Sequence, residues 1–260
     1  MSFDKVEGRA CAKFILLGEH FVVFGGKAVS FPLSEISTRV FEDGSGIKVE
    51  SSVPRARGFG SSASYSVALV RFLSVQANKV LPLETEIQVA NSLEHIYHKT
   101  PSGLDVTTIV IEKPILFQER RFEPIVNNTS EFIVVDSGQR ATTAELVGRI
   151  TEFREKQKER WMEFQKKSDQ AVLMCVTGLK EDVNQVAQAV TISHELLTEL
   201  QLVTPRAQDI ITWGIECGAL AGKISGAGSG GALVLVCRKG SARDILTKMR
   251  AKLSEQAFIA

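Results

Sequence analysis

The chain has 260 residues, of which 44% are hydrophobic and 23% charged, proportions typical of a globular protein with one large domain or two small ones. Its formal net charge is +1, so no strong overall field favours nucleic acid or an anionic membrane as a partner. Four widely spaced cysteines form no Cys-x-x-Cys pair, which argues against a zinc site or a disulfide framework.

The amino terminus and the hydropathy pattern indicate the compartment. Residues 1–7 include acids and no apolar run, so they do not have the pattern of a signal peptide. No apolar stretch approaches the roughly 18 residues that a membrane-spanning helix needs. We therefore expect a cytoplasmic protein with reduced thiols, without a nucleic-acid or membrane partner.

Residues 9–40 alternate short apolar runs with glycine-marked turns, which predicts strands, among them 12–17 and 21–24, joined by tight connections. Glu19 and His20 fall in the connection between these two strands. Polar residues in a loop held by rigid strands are candidates for ligand contact, although a solvated turn is the simpler interpretation of these residues alone.

Residues 54–63 form the most informative stretch, Pro-Arg-Ala-Arg-Gly-Phe-Gly-Ser-Ser-Ala, between a predicted strand and a helical pattern. Gly58 and Gly60 allow the backbone to approach a ligand closely, and the start of a helix offers free N–H groups and a partial positive charge. Ser61 and Ser62 add hydroxyls suited to a phosphate or Mg²⁺. We name residues 54–63 the phosphate loop, because the stretch predicts a local phosphate site.

The residues of the phosphate loop also fit a helix cap or a dinucleotide site. Glycine and serine are common at any helix start, so the stretch can be a plain helix cap. Gly58, Gly60 and Ala63 also match the loose Gly-x-Gly-x-x-Ala form of a dinucleotide fingerprint. That fingerprint expects an acid about 20 residues on, at the end of the next strand, whereas the nearest acids, Glu84 and Glu86, begin a predicted helix.

A second group of candidates surrounds a helix predicted over 84–98 and ended by the Pro-Ser-Gly turn at 101–103. Glu94 lies near the end of that helix, and Asp105 comes just after the turn. If both carboxylates lie near the phosphates, one can hold Mg²⁺ while the other takes a proton from an alcohol. Lys13 is a candidate for the positive charge that keeps Asp105 ionised.

A metal site at His95 and His98 is the alternative use of this region. Residues three apart share one face of a helix, so both imidazoles can reach one ion. No third ligand with clear spacing accompanies them, and histidines at the end of a helix are commonly favourable caps. Zinc is therefore the weaker interpretation.

The C-terminal half is predicted to be rich in helices, with a soft domain boundary that divides 1–140 from 141–260. A second glycine cluster at 222–231 also contains a Gly-x-Gly-x-x-Gly match. It follows a helix and precedes a strand, whereas a dinucleotide fingerprint needs the opposite order, so this match is discarded. So dense a cluster predicts a loop packed against a ligand or another loop. Strands are also predicted at 114–117, 132–138 and 232–237, and helices at 143–167, 179–200, 205–217 and 242–253.

Three stretches together resemble the signature motifs of the GHMP kinase superfamily, and most closely those of its mevalonate kinase branch. Residues 10–29 are similar to the family's Ala-Pro-Gly-Lys strand followed by Gly-Glu-His and Val-Val-Tyr-Gly. The phosphate loop is similar to Pro-x-Gly-x-Gly-Leu-Gly-Ser-Ser-Ala, and residues 223–231 are similar to Lys-x-Thr-Gly-Ala-Gly-x-Gly-Gly. Residues 94–105 match the pattern Glu-x-x-x-His-x-x-Pro-Ser-Gly-x-Asp at every fixed position.

This resemblance implies an α+β fold of two domains, an N-terminal ATP-binding domain of the ribosomal protein S5 domain 2 type and a ferredoxin-like C-terminal domain. It also implies an activity, the transfer of the γ-phosphoryl group of Mg-ATP to the primary alcohol of mevalonate in isoprenoid precursor synthesis. The partners that it implies are ATP, Mg²⁺ and a small alcohol, with a homodimer left open.

By position, the resemblance assigns roles to individual residues. Asp105 would be the catalytic base and Lys13 its cationic partner, while Ser62 and Glu94 would bind Mg²⁺. The nucleotide would be bound by the phosphate loop, and mevalonate by four residues from three other parts of the chain. The nucleotide-binding residues are Pro54, Gly58, Phe59, Gly60, Ser61, Ser62 and Ala63, and those for mevalonate are Glu19, His20, Thr143 and Ala227.

Among the departures of the chain from the family pattern, two bear most on nucleotide binding. Ala56 and Arg57 stand where the family has glycine and alanine, and the interval between the first two motifs, which usually helps to form the adenine pocket, is much shorter. Three alternatives stay open: another alcohol or sugar kinase such as a galactokinase, a nucleotide-binding member without activity, and a dinucleotide-dependent oxidoreductase. Against a galactokinase, His20 is followed by Phe-Val-Val, where that enzyme has Thr-Asp-Tyr.

Overall fold

The computed structural model describes residues 6–97, 101–139, 143–251, 253 and 256–260. It contains two antiparallel sheets flanked by helices. The strands are β1 (Glu7–Leu17), β2 (Ala28–Glu42), β3 (Ile47–Ser51), β4 (Ile115–Gln118), β5 (Arg121–Pro124), β6 (Ser130–Asp136), β7 (Ala221–Ile224), β8 (Ala232–Arg238) and β9 (Ala257–Ile259). The first sheet has the order β1-β2-β4-β5, with β3 paired to β2, and the second has the order β7-β8-β6-β9.

Helices pack against both sheets. The α-helices of the described residues are α1 (Ser61–Gln76), α2 (Leu83–Glu94), α3 (Leu104–Ile111), α4 (Thr143–Lys156), α5 (Lys158–Glu181), α6 (Val183–Glu199), α7 (Pro205–Glu216) and α8 (Ala242–Met249). A 3₁₀ helix spans Phe21–Phe24. Across the described ranges, none of the helices combines the length and the apolar character needed to cross a membrane.

Three buried aromatic rings join the two sheets. Phe14 of β1 stacks on Phe31 of β2 with ring centroids 5.3 Å apart, and Phe132 of β6 lies 5.6 Å and 4.9 Å from these two rings. Because Phe132 belongs to the second sheet, one hydrophobic cluster contains residues of both sheets and holds them together. β6 lies before the predicted domain boundary at 140/141, but it pairs with β8 and β9, which lie after it. The position of the boundary stays a prediction.

The strand predicted at 21–24 is wrong, because this segment is a 3₁₀ helix. The aromatic and β-branched residues favour a strand locally, but a 3₁₀ helix places positions three apart on one face. Phe21 and Phe24 use that spacing to contact a single ring, that of Trp161, at centroid distances of 4.8 Å and 5.3 Å. Packing against a distant helix therefore overrides the local preference.

The long helix predicted over 143–167 is two helices, α4 and α5, which meet at Gln157 with φ −128° and ψ 57°. No proline or glycine marks this break in the sequence. The aromatic packing accounts for it, since Phe153 before the break and Phe164 after it bring their rings within 6.0 Å of each other. The predicted helix over 84–98 likewise ends earlier, at Glu94.

Candidate active site

The phosphate loop leads directly into the first turn of α1. Gly60 is the N-cap of this helix, with φ 73° and ψ 36°, a left-handed conformation that glycine adopts without strain. A Cβ on Gly60 would lie 2.9 Å from two side-chain carbons of Lys13, so glycine allows the lysine to pass directly over the helix start. The first turn of α1 contains no acidic residue, and its N–H groups and dipole favour an anion.

The second glycine cluster packs against the phosphate loop, as its density predicted. A Cβ on Gly58 would lie 2.7 Å from the carbonyl oxygen of Ser225, and one on Gly231 would lie 2.6 Å from that of Arg57. The Ala232 N–H donates to the same Arg57 carbonyl at 2.8 Å. The phosphate loop and the second glycine cluster, which lie far apart in the sequence, therefore form one wall of the site.

Arg57, one of the departures from the family pattern, forms an ion pair with Asp136. Its Nη1 lies 2.6 Å from Asp136 Oδ2, and Asp136, the last residue of β6, is buried. The second carboxylate oxygen of Asp136 accepts a hydrogen bond from the Gly138 N–H. The arginine thus ties the phosphate loop to the second sheet. No sequence pattern pointed to Asp136.

Lys13 and Asp105 meet, although they come from distant parts of the chain. The Lys13 Nζ lies 3.0 Å from Asp105 Oδ2, with the lysine side chain 2% exposed and the aspartate 36% exposed. Gly103, with φ 89°, turns the chain into α3 and places Asp105 in its first turn. The carboxylate therefore faces solvent-accessible space while a buried ammonium supports it from behind.

Ser62 and Glu94 also meet. The Ser62 hydroxyl donates to Glu94 Oε2 at 2.9 Å, and Glu94 is 3% exposed at the end of α2. A second hydroxyl, that of Ser66, donates to Glu94 Oε1 at 2.8 Å. The sequence analysis missed Ser66, which lies one helical turn after Ser62 and therefore on the same face of α1.

Glu19 and His20 lie opposite the second glycine cluster. Glu19 forms an ion pair with the fully buried Lys223, which also donates to the Ile224 carbonyl at 2.5 Å. Burial raises the pKa of the Glu19 carboxyl, and the neighbouring Lys223 ammonium lowers it only in part. Burial likewise lowers the pKa of the Lys223 ammonium. Glu19 Oε2 is buried without a hydrogen-bond partner among the described residues.

His20 Nε2 lies 2.9 Å from the Ala227 carbonyl oxygen. A carbonyl can only accept, so this nitrogen carries the proton and donates. Burial lowers the pKa of His20 to about 4, which keeps the imidazole neutral at pH 7. In this tautomer Nδ1 is a hydrogen-bond acceptor.

The lowered pKa of His20 predicts acid sensitivity. Between pH 6.5 and 4 the unfolded histidine binds a proton that the folded one excludes, so stability falls as the pH falls. We expect the free energy of unfolding to fall by about 3 kcal/mol more in the native protein than in His20→Gln between pH 7 and 4. Urea unfolding of both proteins at several pH values measures this difference, and an equal acid sensitivity would contradict the prediction.

The remaining predicted site residues differ in how far their side chains are exposed. Phe59 and Ala63 are fully buried in hydrophobic clusters, so they contribute to the phosphate loop through their main chain. Thr143 begins α4, and its side chain lies outside the described residues, as does His98. Within the described residues no group of three or more His, Cys, Asp or Glu side chains is placed to hold a metal ion, and His95 is exposed.

Two family models match the chain. The GHMP kinases N terminal domain matches residues 28–113, and the GHMP kinases C terminal domain matches residues 175–255. Together they span more than half of the sequence, and the chain belongs to the GHMP kinase family. The predicted two-domain GHMP kinase fold is confirmed.

Mevalonate kinases are among the similar proteins. The one from Pyrococcus horikoshii is 24% identical over 229 residues, 86% of this chain and 67% of its own length. The one from Thermococcus gammatolerans is 28% identical over 193 residues, 72% of this chain and 58% of its own length. The crystal structure of L. major mevalonate kinase in complex with R-mevalonate has a TM-score of 0.83 at 24% identity, and the match covers 100% of this chain and 96% of that one. The chain is thus shorter than these curated relatives and shares the fold of the solved structure.

Proposed function

We propose that this protein is an ATP-dependent mevalonate kinase. The observation that carries the proposal is the 3.0 Å contact between Lys13 Nζ and Asp105 Oδ2, next to a glycine-rich helix start that favours an anion. A carboxylate base beside a phosphate site is what phosphoryl transfer to an alcohol needs. The curated relatives are mevalonate kinases, and the matches to them cover most of this chain. This similarity supports the choice of mevalonate as the alcohol.

In the proposed reaction Asp105 accepts the proton of the primary hydroxyl while the hydroxyl oxygen bonds to the γ-phosphorus of ATP. The bond from that phosphorus to the β-γ bridging oxygen breaks, and ADP leaves with the electron pair. The Lys13 ammonium, whose Nζ lies 3.0 Å from Asp105 Oδ2, stabilises the negative charge that develops during the transfer. The backbone N–H groups at the start of α1 hold the phosphates.

Ser62 and Glu94 are the residues that would hold Mg²⁺. Their oxygens lie 2.9 Å apart, with Glu94 buried and Ser62 partly exposed. They fit a hard cation that prefers oxygen and takes one or two carboxylates, with phosphates and water completing its shell. Mg²⁺ bound there would neutralise charge on the phosphate oxygens. A site with a single protein carboxylate agrees with the absence of a larger ligand cluster among the described residues.

Glu19, His20, Ala227 and Thr143 are proposed to line the mevalonate site. The hydrogen bond from His20 to the Ala227 carbonyl makes Nδ1 of the imidazole an acceptor suited to a hydroxyl of the substrate. The buried Glu19 carboxylate provides a further acceptor in the same segment. Both residues sit in a connection that β1 and the 3₁₀ helix hold at its two ends.

A kinase assay with the full chain tests the proposal. ADP release from Mg-ATP is measured with mevalonate, with galactose and without an acceptor, and the site of phosphorylation is read by ³¹P NMR. We expect release to depend on mevalonate and the phosphate to appear on the primary alcohol. Turnover with galactose alone would favour the sugar-kinase alternative, and ATP binding by calorimetry without turnover would favour a nucleotide-binding member without activity.

A further inference from the structure

Two serines of α1 hold the two oxygens of one carboxylate. Ser62 and Ser66 lie one helical turn apart, so their side chains share a face. The Ser62 hydroxyl donates to Glu94 Oε2 at 2.9 Å, and the Ser66 hydroxyl donates to Glu94 Oε1 at 2.8 Å. Ser66 is fully buried, whereas Ser62 is partly exposed. The carboxylate thus has one oxygen on the inner side and one on the side of the phosphate loop.

We propose that Ser66 is a positioning residue for the Mg²⁺ site. It holds Glu94 Oε1 in the interior, so that Oε2 stays beside the Ser62 oxygen and is presented to the cation. This inference rests on the proposed function only in assigning Mg²⁺ to Ser62 and Glu94, because Ser66 itself contacts neither the cation nor a substrate.

The physical reason lies in the freedom of a carboxylate. The last torsion of a glutamate is broad, so each hydrogen bond to a carboxylate oxygen narrows the range of orientations that the carboxylate samples. The hydrogen bond from the Ser66 hydroxyl to the inner oxygen limits that rotation. Mg²⁺ requires near-ideal octahedral geometry at short distance, so a fixed oxygen binds it better than a rotating one. Residues that orient metal ligands in this way typically change metal affinity 10–100-fold when they are removed.

Ser64 provides a matched control on the same helix. Ser64 and Ser66 are both fully buried, and each loses one buried hydroxyl when it is replaced by alanine. The Ser64 hydroxyl lies 3.0 Å from the Ala10 carbonyl and 2.9 Å from Thr38 Oγ1, both in the first sheet and away from Glu94. We therefore expect Ser64→Ala and Ser66→Ala to lower the stability of the protein by similar amounts. Only Ser66→Ala removes a hydrogen bond to Glu94.

The experiment measures Mn²⁺ binding by electron paramagnetic resonance, with the full chain saturated with a non-hydrolysable ATP analogue. We expect Ser66→Ala to weaken Mn²⁺ binding about 10-fold or more and Ser64→Ala to change it less than about twofold. A second pair, Ser66→Thr and Ser66→Val, has matched shape and differs in the hydroxyl alone. We expect the threonine variant to bind Mn²⁺ at least about fivefold more tightly than the valine variant.

The outcomes are distinct from those of the kinase assay, because no alcohol is present. Equal Mn²⁺ affinity in Ser66→Ala and the native protein would overturn the proposal. So would equal losses in Ser64→Ala and Ser66→Ala, which would indicate a general effect on the helix. If the alanine variant does not fold, the threonine and valine pair decides, and equal affinities in that pair would also overturn it. A failure to phosphorylate mevalonate would leave each of these readouts intact.

Discussion

Asp105→Asn is expected to lower kcat by at least about 10²-fold while the protein stays folded. Asparagine preserves the size of the side chain and an oxygen for Lys13, but an amide cannot take a proton from an alcohol at neutral pH. Asp105 is 36% exposed, so the substitution disturbs little packing. The KM for ATP should change little, because glycine backbone and helix N–H groups form the phosphate loop. Steady-state kinetics with mevalonate measures both quantities.

Asp244→Asn is the matched control for this variant. Asp105 and Asp244 each lie in the first turn of an eight-residue helix, α3 and α8, so both substitutions remove a favourable interaction with a helix dipole of similar size. Asp244 is exposed on the helix surface, and within the described residues no hydrogen bond or ion pair joins it to a proposed site residue. Near-normal turnover in Asp105→Asn, or an equal loss in both variants, would remove Asp105 from the mechanism.

The local patterns of the chain suggest a chemistry more directly than they suggest a geometry. The phosphate loop can be proposed from its glycines, its serines and the helix that follows, because those residues are neighbours in the sequence. The pairing of Lys13 with Asp105 was not visible in the same way, since it depends on how β1 and α3 pack. Resemblance to the family supplied the pairing, and the structure gives the contact of 3.0 Å.

Some elements were missed because long-range packing decides them. β7 has the sequence Ala-Gly-Lys-Ile, and all four residues are buried. Its glycine and lysine give it no recognisable strand pattern. The lysine, Lys223, tolerates that position because Glu19 pairs with it. The 3₁₀ helix at Phe21–Phe24 depends in the same way on Trp161, which lies on α5. No window of neighbouring residues contains either partner.

Buried polar residues were the hardest part of the site to predict. Ser66 and Asp136 are found only through their partners, Glu94 and Arg57, which lie far away in the chain. A serine inside an apolar helix has no sequence pattern that separates a positioning role from simple packing. Such residues become candidates only when the atoms that they contact are known.

Lys223→Met is expected to lower the free energy of unfolding by about 3–5 kcal/mol at pH 7, because it leaves the Glu19 carboxylate buried without its counter-charge. Loss of the ammonium also raises the pKa of Glu19 further, since the ammonium lowers it in the native protein. The folded variant then binds a proton that the unfolded chain releases, and its stability falls as the pH rises above the ordinary range of a glutamate. The deficit should therefore be larger at pH 8 than at pH 5, as measured by urea unfolding.

The double variant Glu19→Gln, Lys223→Met separates the ion pair from the packing of the lysine chain. Removing both charges leaves no uncompensated ion, so we expect it to recover at least half of the stability that Lys223→Met loses. The stability of the double variant should also lack the pH dependence that Glu19 gives to Lys223→Met, because no carboxyl remains at position 19 to titrate. A double variant as unstable as Lys223→Met at both pH values would show that Lys223 acts through the Ile224 carbonyl, to which it also donates, and not through Glu19. Recovery would show that the charge pair fastens the Glu19 segment to β7, the strand that leads into the second glycine cluster.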